Sequence, residues 1–213
     1  DLNSKILRPI GDASIRFRED PVRMLRAVRF AAKLDFQIEA VSYAAILDYG
    51  YCLMGVPPAR LFDEILKLFL SGSAEKTYGL LLETKLLQYL FPQTTENVTE
   101  QADPSFSAFL VAALRNTDIR VSEEKPVTPA FLAAALLWPV VRVHFEQGMK
   151  RGMKNTLALQ QAMYEAVEMQ TQRVLIPRRI SVPMRDIWSF QLRLERRSGK
   201  RPLRLLTHPR FCP

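Results

Sequence analysis

An acidic pair followed by arginines at three-residue intervals carries the most evident chemistry in this sequence: Glu19-Asp20-Pro21-Val22-Arg23, then Arg26 and Arg29. At about 100° per residue in a helix, Arg23, Arg26, Arg29 and Lys33 share an arc of roughly 120°. Met24, Leu25, Val28, Ala31 and Ala32 fill the opposite arc, and Phe30 stands on the charged side. Like charges this close on one face cost roughly a few tenths of a kcal/mol per pair. Glu19 and Asp20 offset part of that locally, and an anionic ligand would offset the rest. Arginine at all three early positions favours planar, forked hydrogen bonding. An Asp and an Arg three residues apart can also read a base edge. The carboxylate accepts from an exocyclic amine and the guanidinium donates to a ring nitrogen or carbonyl, with Glu19 able to hold the arginine from behind. The same residues have a plainer use, in which Asp20 caps a helix and the arginines form solvated ion pairs. Spacing alone leaves both open.

A second basic cluster lies late in the chain: Arg178, Arg179, Arg185, Arg193, Arg196, Arg197, Lys200 and Arg201, interleaved with Trp188, Phe190 and Phe211. Cations for phosphates and aromatics for stacking suit single-stranded RNA. Trp188 itself reads as core. Residues 1–34 hold 8 basic and 4 acidic side chains (+4), residues 35–172 hold 11 and 16 (−5), and residues 173–213 hold 11 and 2 (+9). This distribution suggests a polyanion held at two places, with a solvated basic tail as the bland alternative. Metal and nucleophile chemistry find little support. Cys52, Cys212, His144 and His208 have no metal-ligand spacing and read as ordinary side chains of a reducing cytoplasm. There is no Asp-x-Asp pair and no Gly-rich phosphate loop; Asp63-Glu64 and Glu123-Glu124 are adjacent pairs.

The elements that must position these residues are helices, and the fold class is all-α. Strand-like alternation is scarce and helical spacing dominates. Asp20-Pro21 predicts a helix start with Asp as N-cap and Pro at the first helical position, running to about Leu34. Further helices are expected over Glu39 to Tyr49, from Pro57-Pro58 to Leu70, and over Ala74 to Thr84, with a short turn from Leu86 to Phe91. The polar stretch Gln93 to Pro104 reads as a loop between two helical parts. Helices resume at Ser105 to Arg115, Pro129 to Gln147, Thr156 to Leu175 and Met184 to Arg197. The longest apolar stretch, Pro129 to Val143, is shorter than the about eighteen residues a membrane span needs. The chain opens on Asp1 without a start-like segment and is read as a piece of something longer.

The run from Glu19 to Ala31 resembles the neck motif of the class II nucleotidyltransferases, which include CCA-adding enzymes and bacterial poly(A) polymerases. The resemblance implies that Asp20 and Arg23 contact the incoming base, that Glu19 orients Arg23, and that Arg26 and Arg29 lie near the phosphates or stack on the base. Pro57-Pro58-Ala59-Arg60-Leu61-Phe62-Asp63-Glu64 resembles the family's next neck element, implying that Arg60 or Glu64 braces the templating helix. Arg185-Asp186-Ile187-Trp188, the run from Arg196 to Arg201, His208-Pro209-Arg210-Phe211 and Asn116-Thr117-Asp118 resemble the poly(A) polymerase branch. The likeness runs from Leu7 to Phe211. It implies ATP as substrate, RNA 3′ ends as partner, a cytoplasmic monomer without membrane contact, and Mg²⁺ in a head domain, none of it bound by this chain. The implied partition is residues 1–11 as the end of that head, 12–92 as neck and 93–213 as body with a basic RNA-binding tail. Alone, the chain is expected not to catalyse transfer. The alternatives are a CCA-adding enzyme, a stand-alone helical RNA-binding module, and a purely structural helical protein.

Overall fold

The computed structural model describes residues 2–98 and 103–194. Eleven α-helices, one 3-10 helix and one two-residue parallel bridge make up the regular structure of the described residues, so the expected all-α class holds. They fall into two compact units. The first comprises the described residues up to Val127 together with Gln170–Leu175, and the second those from Thr128 to Met169 and from Ile176 onward.

In the first unit, β1 (Ile6–Leu7) pairs in parallel with β2 (Gln37–Ile38), and two helices lie between them in sequence. Helix α1 (Ala13–Glu19) starts at Asp12, whose side chain accepts from the Ile15 N–H at 2.9 Å. It buries Ala13 and Phe17 and was not anticipated. Asp20 then adopts an extended backbone (φ −144°, ψ 91°). Pro21 is the cause, since the ring of a proline drives the preceding residue out of the helical region. Helix α2 (Val22–Leu34) follows at once, and the expected apolar arc is buried: Met24, Leu25, Val28, Ala31 and Ala32, with Val22. Asp35 ends it in the left-handed region (φ 54°), where its N–H and that of Phe36 both reach the Ala31 carbonyl.

Helix α3 (Ala40–Tyr49) leads into a 3-10 turn over Gly50–Gly55. A side chain at Gly50 would come within 3.0 Å of the Tyr89 ring and 3.1 Å of Leu86, so that close approach needs glycine. Helix α4 (Pro58–Phe69) opens on the predicted proline and buries Leu61, Phe62, Ile65, Leu68 and Phe69 against α2. Helix α5 (Ala74–Glu83) also packs on α2. Its first N–H groups, those of Ala74 and Glu75, are capped by the Asp118 carboxylate at 2.6 and 3.0 Å. Asp118 belongs to α8 (Pro104–Ser122), which runs past the predicted end at Arg115. After α6 (Leu87–Leu90), the stretch expected as a loop contains α7 (Pro92–Val98). Thr94 and Val98, one turn apart, bury there, while Thr95 and Asn97 bond back to the carbonyls of Phe91 and Gln93. A polar sequence thereby satisfies itself on a helix.

The last turn of α10 (Asn155–Arg173) belongs to this unit. Gln170 donates to the Leu90 carbonyl at 2.8 Å, and Arg173 donates to the carbonyls of Tyr89 and, at 2.6 Å, Leu53. These carbonyls lie at helix ends, which lack intrahelical donors. Burial pulls the Arg173 guanidinium below its ordinary pKa.

In the second unit, α9 (Pro129–Lys150) packs on α11 (Arg178–Leu194), and each contains an internal proline, Pro139 and Pro183. Pro139 has no N–H for the Ala135 carbonyl. Beside that break, the indole of Trp188 donates to the Ala134 carbonyl at 3.0 Å. Trp188 is fully buried, the core role its sequence context predicts. Both helices begin or end well outside the expected limits, α9 at Lys150 and α11 at Arg178. Among the described residues no helix is long and apolar enough to cross a membrane.

Candidate functional site

The break between α1 and α2 places Asp20 at a corner, and what it meets there decides its use. Its carboxylate does not cap α2. Oδ1 instead accepts from Arg60 Nη2 at 2.8 Å, and Oδ2 lies 3.8 Å from Arg23 Nε. Arg60 comes from the first turn of α4, forty residues on, so the neck-element proline start aims it at the corner. One turn later on α4, Glu64 is almost fully buried. It accepts from Lys67 at 2.8 Å and lies 3.9 Å from Arg26. Of the two residues named by resemblance, Arg60 hydrogen-bonds Asp20 and Glu64 lies within ion-pair reach of Arg26.

Glu19 departs from expectation. Its carboxylate accepts from Arg16 Nη1 at 2.9 Å, not from Arg23. Glu19 and Arg16 lie three apart on α1, whereas the extended residue Asp20 separates Glu19 from the helix that carries Arg23.

Arg23, Arg26 and Phe30 line a cavity of about 260 Å³ together with Arg16, Phe17 and the segment Leu7–Ile10. Four arginines border it, since Arg8 joins Arg16, Arg23 and Arg26. Arg8 is 3.8 Å from Glu39. Arg16 Nε and Arg23 Nε are both shielded from solvent, and neither has a hydrogen-bond partner among the described residues. An unmade bond of this kind costs about 1–3 kcal/mol, and such sites call for an explanation. Apolar walls and a cationic rim suit a planar, charged ligand. Arg8 and Arg16 escaped sequence reasoning; recognising α1 as a helix would have found Arg16.

Arg29 is not on that cavity. Its guanidinium sits 5.0 Å from the Phe30 ring centre, and it borders a separate groove. Of the late cluster, Arg178 and Arg179 are exposed in the first turn of α11, where the helix dipole disfavours cations. Arg185 is half-buried, its Nε shielded from solvent without a hydrogen-bond partner among the described residues. Arg193 lies on α11, and its side chain lies outside what is described, as do Arg196, Arg197, Lys200 and Arg201 altogether. Among the described residues no three His, Cys, Asp or Glu side chains converge as metal ligands.

The described residues form a helical fold with a cationic, partly apolar cavity. Residues 35–97 match the family described as "Probable RNA and SrmB- binding site of polymerase A", and residues 151–212 match "Polymerase A arginine-rich C-terminus". Poly(A) polymerase I of Salmonella typhi is 42% identical over 212 residues, which is 99% of this chain and 46% of that protein. A CCA-adding enzyme of Streptococcus thermophilus is 41% identical over 98 residues, 45% of this chain and 24% of that protein. Among solved structures, the Thermotoga maritima CCA-adding enzyme complexed with tRNA overlaps 96% of this chain and 64% of its own, with a TM-score of 0.40 and 17% identity. The chain belongs to the bacterial poly(A) polymerase family of nucleotidyltransferases. It spans about half the length of the curated relatives it matches. In sequence, the poly(A) polymerase likeness runs the length of the chain, tail included, while the Streptococcus thermophilus CCA-adding enzyme matches less than half of it.

Proposed function

We propose that this chain is the base-selecting and RNA-holding part of a cytoplasmic poly(A) polymerase, which transfers AMP from ATP to RNA 3′ ends and so promotes RNA turnover. Residues 12–92 form the neck, 93–213 the body with its basic tail, and 1–11 the end of a catalytic head. The carboxylates that hold Mg²⁺ belong to that head. Among the described residues no three His, Cys, Asp or Glu side chains converge as metal ligands. The chain by itself does not transfer AMP.

The observation that carries the reading is the corner at Asp20. Arg60 fixes Asp20, Asp20 flanks Arg23, and Glu64 flanks Arg26, and Arg23 and Arg26 in turn line one arginine-rimmed cavity. Adenine offers an exocyclic amine to the Asp20 carboxylate and an adjacent ring nitrogen to the Arg23 guanidinium. Guanine and uracil present a carbonyl and a ring N–H at those places, which leaves an acceptor facing an acceptor. Cytosine shares adenine's donor and acceptor pair and is the smaller base, so this pair by itself does not discriminate against it. Arg26 lies where it can meet phosphate charge.

Incorporation into oligo(A) by the full-length protein tests this, with each of the four nucleoside triphosphates supplied separately. The unaltered protein uses ATP. Asp20→Ala and Arg23→Ala each lower the preference for ATP over GTP and UTP by about tenfold or more, the worth of a good paired contact. Circular dichroism stays unchanged. Two variants with normal preference would sink the reading, and lost helicity in both would make Asp20 a structural corner. Efficient use of CTP by the unaltered protein would assign it to CCA addition.

A further inference from the structure

A second concavity, of about 530 Å³, runs between α2 and α4 and is separate from the residues that read the base. It is bordered by Arg29, Phe30 and Lys33 of α2, and by Leu66, Lys67 and Ser71 across from them. Lys33 is exposed and has no ion-pair partner among the described residues. Arg29 turns its guanidinium onto the Phe30 ring rather than onto a carboxylate. Only Lys67 has an acidic neighbour, Glu64, and that carboxylate is shared with Arg26. The groove is therefore a cationic channel with an apolar floor. Phe30 is 41% exposed, which is unusual for a phenylalanine on a packed helix, and it lines both this groove and the Arg23 cavity. Spaced cations with an aromatic platform between them are the equipment for a single strand whose bases stack while its phosphates are neutralised. A triphosphate would ask instead for donors converging on one point. The α2 side of the groove lies outside residues 35–97, which carry the RNA-binding family match.

We propose that the α2–α4 groove binds the last nucleotides of a single-stranded RNA, with the 3′-terminal base against Phe30 and Arg29 and the preceding phosphates against Lys33 and Lys67. This rests on the reading that the neighbouring cavity takes the incoming nucleotide. Phe30 would then be the partition across which the terminal base and the incoming base meet.

The experiment measures binding of fluorescent oligo(A) to the full-length protein by anisotropy over a series of KCl concentrations, with a fluorescent ATP analogue as the second arm. Lys33→Gln is the primary variant because Lys67 also holds Glu64. It lowers the slope of log K against log [salt] by about 0.7, the value for one lost phosphate contact on a single strand. Adding Lys67→Gln lowers the slope again. Phe30→Ala weakens oligo(A) at least about fivefold and Phe30→Tyr restores it, as stacking requires. Affinity for the ATP analogue is unchanged in Lys33→Gln. An unaltered salt slope in both lysine variants would overturn the proposal. Loss of ATP-analogue affinity in step with oligo(A) would also overturn it, by assigning the groove to the triphosphate. Base preference, read with the Asp20 and Arg23 variants, is a separate measurement, so the two readings can fail independently.

Discussion

Asp20 sits where three demands meet. Its backbone must be extended because Pro21 follows, its carbonyl starts α2 by accepting from the Arg23 N–H at 3.0 Å, and its carboxylate goes to Arg60. A carboxylate used only as a cap would reach the nearby N–H groups, as Asp12 does one helix earlier. Asp20 holds a guanidinium instead, and on the proposed function Arg60 is its positioning residue. Arg60→Ala in the full-length protein should therefore reduce kcat/KM for ATP by about tenfold, while Arg60→Lys recovers part of it. A purely structural Arg60 would lower thermal stability and leave the nucleotide preference of the surviving protein intact. The pairing of Asp20 with Arg23 was legible from spacing because both sides of the corner are short-range. The choice of Glu19 was not, since several arginines compete for it. The winner, Arg16, is fixed by a helix whose only sequence signals were Asp12 and two buried apolar residues, Ala13 and Phe17.

At the scale of elements, α5 depends on α8 for its start. Arg115 and Asp118, three residues apart and hence on one face of α8, grip it together. Asp118 caps the Ala74 and Glu75 N–H groups, and Arg115 donates twice to the Glu75 carboxylate at 2.9 and 2.7 Å. Asp118→Ala should cost about 1–2 kcal/mol, seen as a Tm lower by about 2–8 °C for a chain of this size. Asp118→Asn, which keeps an acceptor, should lose less. The hydrogen bond from Arg115 holds the Glu75 carboxyl below its ordinary pKa. Its stabilising effect is thus complete above the ordinary glutamate pKa and is lost as pH falls through the lowered one. Tm measured between pH 7 and pH 3 should fall slightly less steeply in Arg115→Ala, a small difference because solvent screens the pair. Asn116-Thr117-Asp118 was legible only as a branch marker. Nothing local reveals that Asp118 serves a helix more than forty residues away, and α7 was missed because its polar residues satisfy their bonds on their own helix. The amphipathic α2 and α4, by contrast, were readable because one face must be apolar throughout.

Over the whole molecule, charge divides the labour. The first 34 residues carry +4 and residues 173–213 carry +9, around a middle of −5. The early cations are tied to particular places by Glu64, Glu19, Asp20 and the Phe30 ring, which suits recognition of a base and of a strand end. The late ones are dense, with Arg196, Arg197, Lys200, Arg201, Arg204 and Arg210 following Leu194 within the arginine-rich family match. Dense cations supply affinity that depends on salt and is indifferent to sequence. Ending the full-length protein at Leu194 should accordingly separate affinity from selection. The salt slope for oligo(A) should fall by about 0.7 for each phosphate contact removed, and KM for RNA should rise steeply. The preference for ATP over GTP and UTP should stay as it was, because Asp20, Arg23 and Arg60 are untouched. The packing of α11 on α9 should also persist, since Trp188 and its bond to Ala134 precede the cut. An unchanged salt slope in the shortened protein would move RNA binding to the neck alone. A changed base preference would mean that selection reaches beyond the corner at Asp20.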